Sequence, residues 1–280
     1  MNEVIYTPRS DLQDPWKFVL GLFRDLAACR GLAWRLFQRD FTARYRQSLL
    51  GYAWALIPPL ATTATFVFLR SQGLFTTDAT AIPYAAYVFI GMLFWQVFVE
   101  SLQCPLRAMT AAKPLLAKVN FPPEAVVVAA LGDVVFTLLV RLVLLVGVFL
   151  WFRILPPPTI LLAPLAVLAL MLLGLTLGIT ITPVGLLYND VAQSLTVVSS
   201  FWLFLTPVIY PARDAGLAAL LSRWNPVSPL VIVGRDWTAV GSTTHLFEFV
   251  VVVTLSVVVL LAGWICFRIA MPHLIARIGN

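Results

Sequence analysis

Apolar residues gather into six long stretches, residues 51–69, 84–102, 125–152, 160–181, 195–209 and 247–267, and most charged residues lie between them. A helical stretch of roughly 20 apolar residues crosses a bilayer core of about 30 Å. In lipid every backbone polar group must bond within its own segment, and at these lengths only the helix does so. The pattern therefore predicts an all-α integral membrane protein with six transmembrane helices. The fifth stretch is the shortest and runs into Pro207 and Pro211, so its outer boundary is the least sharply drawn.

Three segments outside the spans have patterns of their own. In residues 12–46, Leu12, Trp16, Val19, Phe23 and Leu26 share one helical stripe, while Asp14, Lys17, Arg24 and Asp25 lie off it. This predicts an N-terminal amphipathic helix in the headgroup plane or packed against a soluble partner, two compatible readings. In the connection 103–123, Leu106, Met109, Leu115, Leu116 and Val119 accompany Arg107, Lys113 and Lys118, which predicts a short helix just below the membrane. Pro122-Pro123-Glu124 then opens the third span, with prolines in the first turn and an acid where the helix dipole favours one. Segment 210–246 holds two short apolar stretches, 215–221 and 229–233, bounded by Pro211, Asn225-Pro226 and Gly241. Neither is long enough to cross. They predict a short re-entrant helix pair between spans five and six, with a loop folded over the bundle as the alternative.

Composition excludes a soluble domain, because 60% of the 280 residues are hydrophobic and only 11% are charged, too few to cover a water-facing surface. Lys and Arg set the orientation. Thirteen of the 19 lie before the first span, in 103–123 or after the sixth span; five lie in the opposite segments, and Arg141 is within a span. The richer face is expected to be cytoplasmic, with both termini inside. The net charge of +6 is then a topology signal with a contribution from anionic lipid, and no nucleic-acid partner is expected. The first 50 residues lack an apolar core followed by a small-residue cleavage site, so no leader peptide is expected. The chain reads as one domain, 1–280: a cytoplasmic and interface segment 1–50, a bundle 51–267 and a cytoplasmic tail 268–280.

Catalytic signatures are missing. No GxxxxGK[ST] loop occurs, and none of Lys17, Lys113 and Lys118 follows a glycine-rich turn. His245 and His273 belong to opposite faces, and Cys29, Cys104 and Cys266 lack metal-ligand spacing. No metal, cofactor or enzymatic activity is expected in this chain. Charges inside the spans stand out instead, since one at the bilayer centre costs roughly 2.5–3.5 kcal/mol on insertion scales. Asp133 and Arg141 are eight residues apart, hence separated by about 12 Å and some 80° of helix, and cannot pair. Glu100 is placed to approach Asp133 or a nearby basic group. Either neighbouring helices neutralise these charges, or the charges face a passage, with Arg141 the candidate for an anionic ligand. Gly174 and Gly178 allow close helix approach, within the chain or between copies. Phe201, Trp202 and Phe204 belong to an aromatic belt or core, or they line a channel.

The order of motifs resembles the permease subunits of type 2 bacterial ABC exporters, in the polysaccharide-export branch. The fullest match runs from Arg39-Asp40-Phe41-Thr42-Ala43-Arg44-Tyr45-Arg46 through Gly51 and Trp54 to Pro58-Pro59. Gly91-Met92-Leu93-Phe94-Trp95, Lys118-Val119-Asn120-Phe121-Pro122-Pro123-Glu124 and Asp133 follow in the family's order. So do Thr206-Pro207-Val208-Ile209-Tyr210-Pro211, Asn225-Pro226 and Phe267-Arg268. Tyr188-Asn189-Asp190 departs from the family's usual arginine at its middle position.

The resemblance implies a six-span half-transporter in the bacterial inner membrane that homodimerises around a central channel. It implies two separate soluble ATPase subunits, which would bind the ATP and Mg. Segment 103–123, with Arg107, Lys113 and Lys118, would couple to them, and the stretch before span one would be an interface helix. Pro207, Tyr210, Pro211, Asn225 and Pro226 would belong to an outer gate, and Phe201, Trp202, Phe204 and Arg141 would line the channel. The expected substrate is a lipid-linked polysaccharide of O-antigen or capsule type. Arg39, Arg44 and Arg46 either meet its phosphate headgroup, whose oxygens match an arginine fork, or only anchor the basic face. The alternatives are a type 2 exporter of drugs or other lipids, and a proton-coupled carrier using Glu100, Asp133 and Arg141.

Overall fold

The computed structural model describes residues 29–46, 54, 56–73, 80–116, 118–119, 121–211, 217–242 and 244–278. Among these residues all regular structure is helical. The helices are α1 (Arg30–Arg46), α2 (Ile57–Ser71), α3 (Tyr84–Leu116), α4 (Glu124–Phe152), α5 (Ala163–Leu187), α6 (Asp190–Leu205), α7 (Leu217–Trp224), α8 (Val227–Arg235) and α9 (Leu246–Ile278). A 3-10 turn, Pro158–Leu162, leads into α5, and a π turn, Asp236–Val240, follows α8. The predicted stripe from Leu12 to Leu26 lies outside the described residues.

Four helices are long and apolar enough to cross a membrane: α3, α4, α5 with its 3-10 lead, and α9. They answer to the expected second, third, fourth and sixth spans. The first and fifth differ. α2 has 15 residues and α6 has 16, about 22 and 24 Å of helix, short of a core of about 30 Å. Six crossings are therefore not established among the described residues. Proline sets the short ends. Pro58 and Pro59 occupy the first turn of α2, where a missing N–H costs nothing. α6 stops because Thr206, with φ −103° and ψ 138°, takes the extended form demanded of a residue before proline.

Segment 103–123 also departs from expectation. Residues 103–116 are not a separate short helix; they continue α3, which runs for 33 residues through Pro105 and Pro114. Pro105 cannot donate to Ser101 O, and the Cys104 thiol turns to that carbonyl at 3.6 Å. α5 packs closest here. A Cβ on Gly174 would lie 2.6 Å from Phe98 O, and one on Gly178 would lie 2.5 Å from Leu102 O. The GxxxG spacing thus serves a helix contact inside this chain, one of the two readings left open by sequence.

The bundle has two distinct ends. At one, α1, the last turns of α3, the first turns of α4 and the C-terminal parts of α5 and α9 share a cluster built on Leu36, Met109, Val126, Leu186 and Phe267. Here Phe37 packs on Gly132, and Phe41 meets Phe136 edge-on at 4.6 Å, which seats α1 against α4. At the other end, Tyr84, Phe149, Ala166, Ile209, Leu230 and Phe249 belong to a larger cluster that continues along α3. α3 is the buried central helix, whereas α4 and α9 expose most of their apolar window, as suits faces turned to lipid. Of the basic residues counted as cytoplasmic, Arg39, Arg107, Lys113 and Arg268 lie at the α1 end.

Candidate functional site

The two short stretches of segment 210–246 are helical, as α7 and α8. Residues 227–231 and 233–235 of α8 are buried, and the helix packs against α3, α5 and α9. It faces the chain reversal at residues 206–211, which connects α6 to α7. Irregular backbone among apolar helices leaves carbonyls that must be bonded. Every carbonyl from Phe204 to Tyr210 has a donor. Phe204 O accepts from the Tyr210 hydroxyl at 2.7 Å, and Leu205 O from Asn225 Nδ2 at 3.4 Å. Thr206 O accepts from Val208 N at 2.7 Å. Arg235 Nη2 donates to Pro207 O at 3.0 Å and Val208 O at 2.9 Å. The hydroxyls of Tyr84 and Tyr87 reach Ile209 O at 3.1 Å and Tyr210 O at 3.0 Å.

Asn225, 7% exposed, holds the near side of this bracket. Its Oδ1 accepts from Trp202 Nε1 and Val227 N, both at 3.0 Å, while Nδ2 also donates to Thr206 Oγ1 at 2.8 Å. Pro226 follows and starts α8. The expected gate residues Pro207, Tyr210, Pro211, Asn225 and Pro226 are therefore neighbours in space, as part of a densely bonded turn.

Arg235 is the site residue that sequence reasoning missed, counted only as one of five outer basic residues. It is buried, and among the described residues it makes no ion pair with a carboxylate. The two carbonyls take its Nη2, and its guanidinium stacks on the Tyr87 ring, 3.7 Å from the centroid. Gly91 makes the room, since a Cβ there would stand 2.5 Å from Arg235 Nη2 and from Val208 O. The available signal was an arginine two positions past the apolar run 229–233, together with the glycine of Gly91-Met92-Leu93-Phe94-Trp95.

The intramembrane charges are partly paired. Arg141 Nη2 donates to Glu100 Oε1 at 2.5 Å; Arg141 is 4% exposed and Glu100 26%. For Arg141 and Glu100 this is the reading in which a neighbouring helix neutralises the charge, and within the chain the Arg141 guanidinium is buried. Glu100 reaches Arg141 rather than Asp133. Trp202 also turns inward, edge-on to Phe98 at 5.3 Å, whereas Phe201 and Phe204 lie on the exposed face of α6.

The α1 end holds a second group. A cleft of about 260 Å³ opens between α1, α3 and α4, lined by Arg39, Asp40, Arg107 and Asp133 over a floor rich in alanine. Arg39 Nε donates to Asp40 Oδ1 at 2.8 Å. Arg44 and Arg46 fall in the last turn of α1, with side chains outside the described residues. The three coupling candidates separate: Arg107 sits at this cleft, and Lys118 is exposed beyond α3. Lys113 donates to Leu186 O at 3.0 Å, placing a cation at the negative end of α5. Among the described residues no group of three or more His, Cys, Asp or Glu could hold a metal ion.

Comparison with known proteins agrees with this architecture. Residues 32–237 match the family described as ABC-2 type transporter. The chain is 30% identical over 220 residues to the O-antigen export system permease protein RfbA of Myxococcus xanthus, covering 76% of this chain and 82% of that protein. It is 22% identical over 234 residues to the protein of the same name from Klebsiella pneumoniae, covering 82% and 86%. With its four long apolar helices and a family match across most of its length, the chain belongs to the ABC-2 type transporter family as a multi-pass membrane permease.

Proposed function

We propose that this permease exports a lipid-linked polysaccharide of O-antigen or capsule type across the bacterial inner membrane, as a homodimer working with two ABC ATPase subunits. Its likeness to permeases named for O-antigen export, over most of both chains, carries the reading. The basic α1 end faces the cytoplasm, as the Lys and Arg bias favours, and receives the ATPases there. ATP and Mg belong to those partners. The exposed apolar face of α6, with Phe201 and Phe204, turns to the second copy, where flat rings offer sugars a surface without tight hydrogen bonds.

Deleting the gene in its native host tests this. Polysaccharide should accumulate inside the cells and return to the surface on complementation. Hypersensitivity to small molecules with normal surface polysaccharide would instead favour an exporter of drugs or other lipids. Transport by the purified chain alone, driven by a pH gradient, would overturn ATP-driven export in favour of a proton-coupled carrier.

A further inference from the structure

We propose that the cleft between α1, α3 and α4 seats the phosphate headgroup of an amphiphilic lipid, with Arg39 and Arg107 as its two cations. The proposal rests on the export reading above and moves Arg107 from the ATPase side to the substrate side. Sequence spacing alone separates the two arginines by 68 positions; the fold brings them to one cavity.

The size suits a headgroup. At about 30 Å³ per water in the bulk liquid, 260 Å³ equals eight or nine waters, room for a diphosphate and the first carbons behind it. Both cations have capacity to spare. Arg39 spends Nε on Asp40 and keeps its terminal nitrogens. Arg107 is exposed at the cleft and makes no ion pair with a described residue. An arginine fork matches phosphate oxygens two at a time, so two forks from different helices suit a phosphate group.

The remaining lining decides which phosphate. Among the described lining residues Asp40 and Asp133 balance Arg39 and Arg107 in formal charge, so these four set up no strong field to gather small anions from solution. Binding must draw on the guanidinium contacts and on apolar contact with Leu36, Val126 and the alanines of α3 and α4. That combination favours a phosphate carried on a hydrocarbon over inorganic phosphate. The cleft also lies at the basic end of the bundle, where lipid phosphates meet a positive-inside protein.

Farnesyl diphosphate, a short polyprenyl diphosphate, serves as the probe, with farnesol and inorganic diphosphate as its two halves. Titrated calorimetrically into the purified full-length permease, it should bind at least about tenfold tighter than either half. Arg107→Gln should weaken it about 10- to 100-fold, the usual scale for losing charge-assisted hydrogen bonds. Arg107→Lys, which keeps the charge but not the fork, should fall between and carries the test if the Gln variant folds poorly. Arg35→Gln, outside the cleft, should bind as wild type. Farnesol as tight as the diphosphate, or an unaffected Arg107→Gln, overturns the proposal. Inorganic diphosphate as tight as the lipid overturns the choice of an amphiphile. ATPase co-purification should survive Arg107→Gln; its loss with unchanged lipid binding would return Arg107 to ATPase coupling. Failure of the export reading looks different: the deletion strain would hold no intracellular polysaccharide, while farnesyl diphosphate binding would still depend on Arg107.

Discussion

Replacing Asn225 by alanine tests whether saturated hydrogen bonding holds the chain reversal after α6. The amide is buried and both of its ends are occupied. Its oxygen has two lone pairs, taken by Trp202 Nε1 and Val227 N, and its nitrogen has two hydrogens, given to Thr206 Oγ1 and Leu205 O. Alanine leaves two N–H donors without an acceptor. Each orphaned buried group costs about 1–3 kcal/mol, so the variant should lose about 2–6 kcal/mol. The other two contacts add little. Leu205 O is 3.4 Å away, and Thr206 keeps its own bond to Trp202 O at 2.9 Å. The measurement is equilibrium unfolding of the purified permease in mixed micelles with rising SDS, followed by circular dichroism. Trp202→Phe removes one donor but leaves the Val227 bond intact, and should cost about 1 kcal/mol. The double variant should then show a coupling of about 1 kcal/mol or more. Asn225→Asp keeps the acceptor but turns a second oxygen towards Leu205 O, so it should do no better than alanine. A loss below about 1 kcal/mol for Asn225→Ala, with no coupling to Trp202, would refute the reasoning.

Two further outcomes follow from packing and charge. Gly178→Leu should lower stability by about 3 kcal/mol or more in the same unfolding assay, since its Cβ meets Leu102 O and the Pro105 ring. Gly147→Leu, where a Cβ meets nothing within 4 Å, should be close to neutral. Glu100→Leu should cost about 3–5 kcal/mol by stranding buried Arg141, and Glu100→Leu with Arg141→Leu should recover most of that loss. Polysaccharide export retained by the double variant would remove both charges from any proton-coupled scheme.

What was legible in the sequence follows from how each feature is encoded. Long apolar runs are local signals, so α3, α4, α5 and α9 could be read directly, as could the two short helices α7 and α8. The limits of α2 and α6 were harder, because prolines cut both helices inside apolar runs that continue past them. Segment 103–123 erred in the opposite direction: a separate short helix was expected there, yet α3 runs on through Pro105 and Pro114, since neighbouring helices and side chains can compensate for a lost amide bond. The charged pair was half legible: spacing excluded Asp133 with Arg141, but choosing Glu100 required the register of α3 against α4. The role of Arg235 was hard to read for the same reason. Its partners are backbone carbonyls of a turn 27 and 28 positions earlier, and carbonyls have no letter in the sequence.

One helix joins the two groups of functional residues. Across its 33 residues, about 50 Å of helix, α3 carries Tyr84 and Tyr87 at the bracket, Glu100 in the middle, and Arg107 and Lys113 at the basic end. The bracket is held through backbone carbonyls on one side and rigid aromatic hydroxyls on the other, so it resists small displacements of α3. Lys113 ties the opposite end to the last turn of α5. Between these anchors lies a turn loosened by proline, where Pro105 leaves Ser101 O with a thiol donor at 3.6 Å in place of an amide. A load applied at the basic end meets that turn before it reaches the bracket. Bending there disturbs the thiol contact and the close packing of Gly174 and Gly178 of α5, whereas moving Tyr84 and Tyr87 costs two hydrogen bonds and the stack on Arg235.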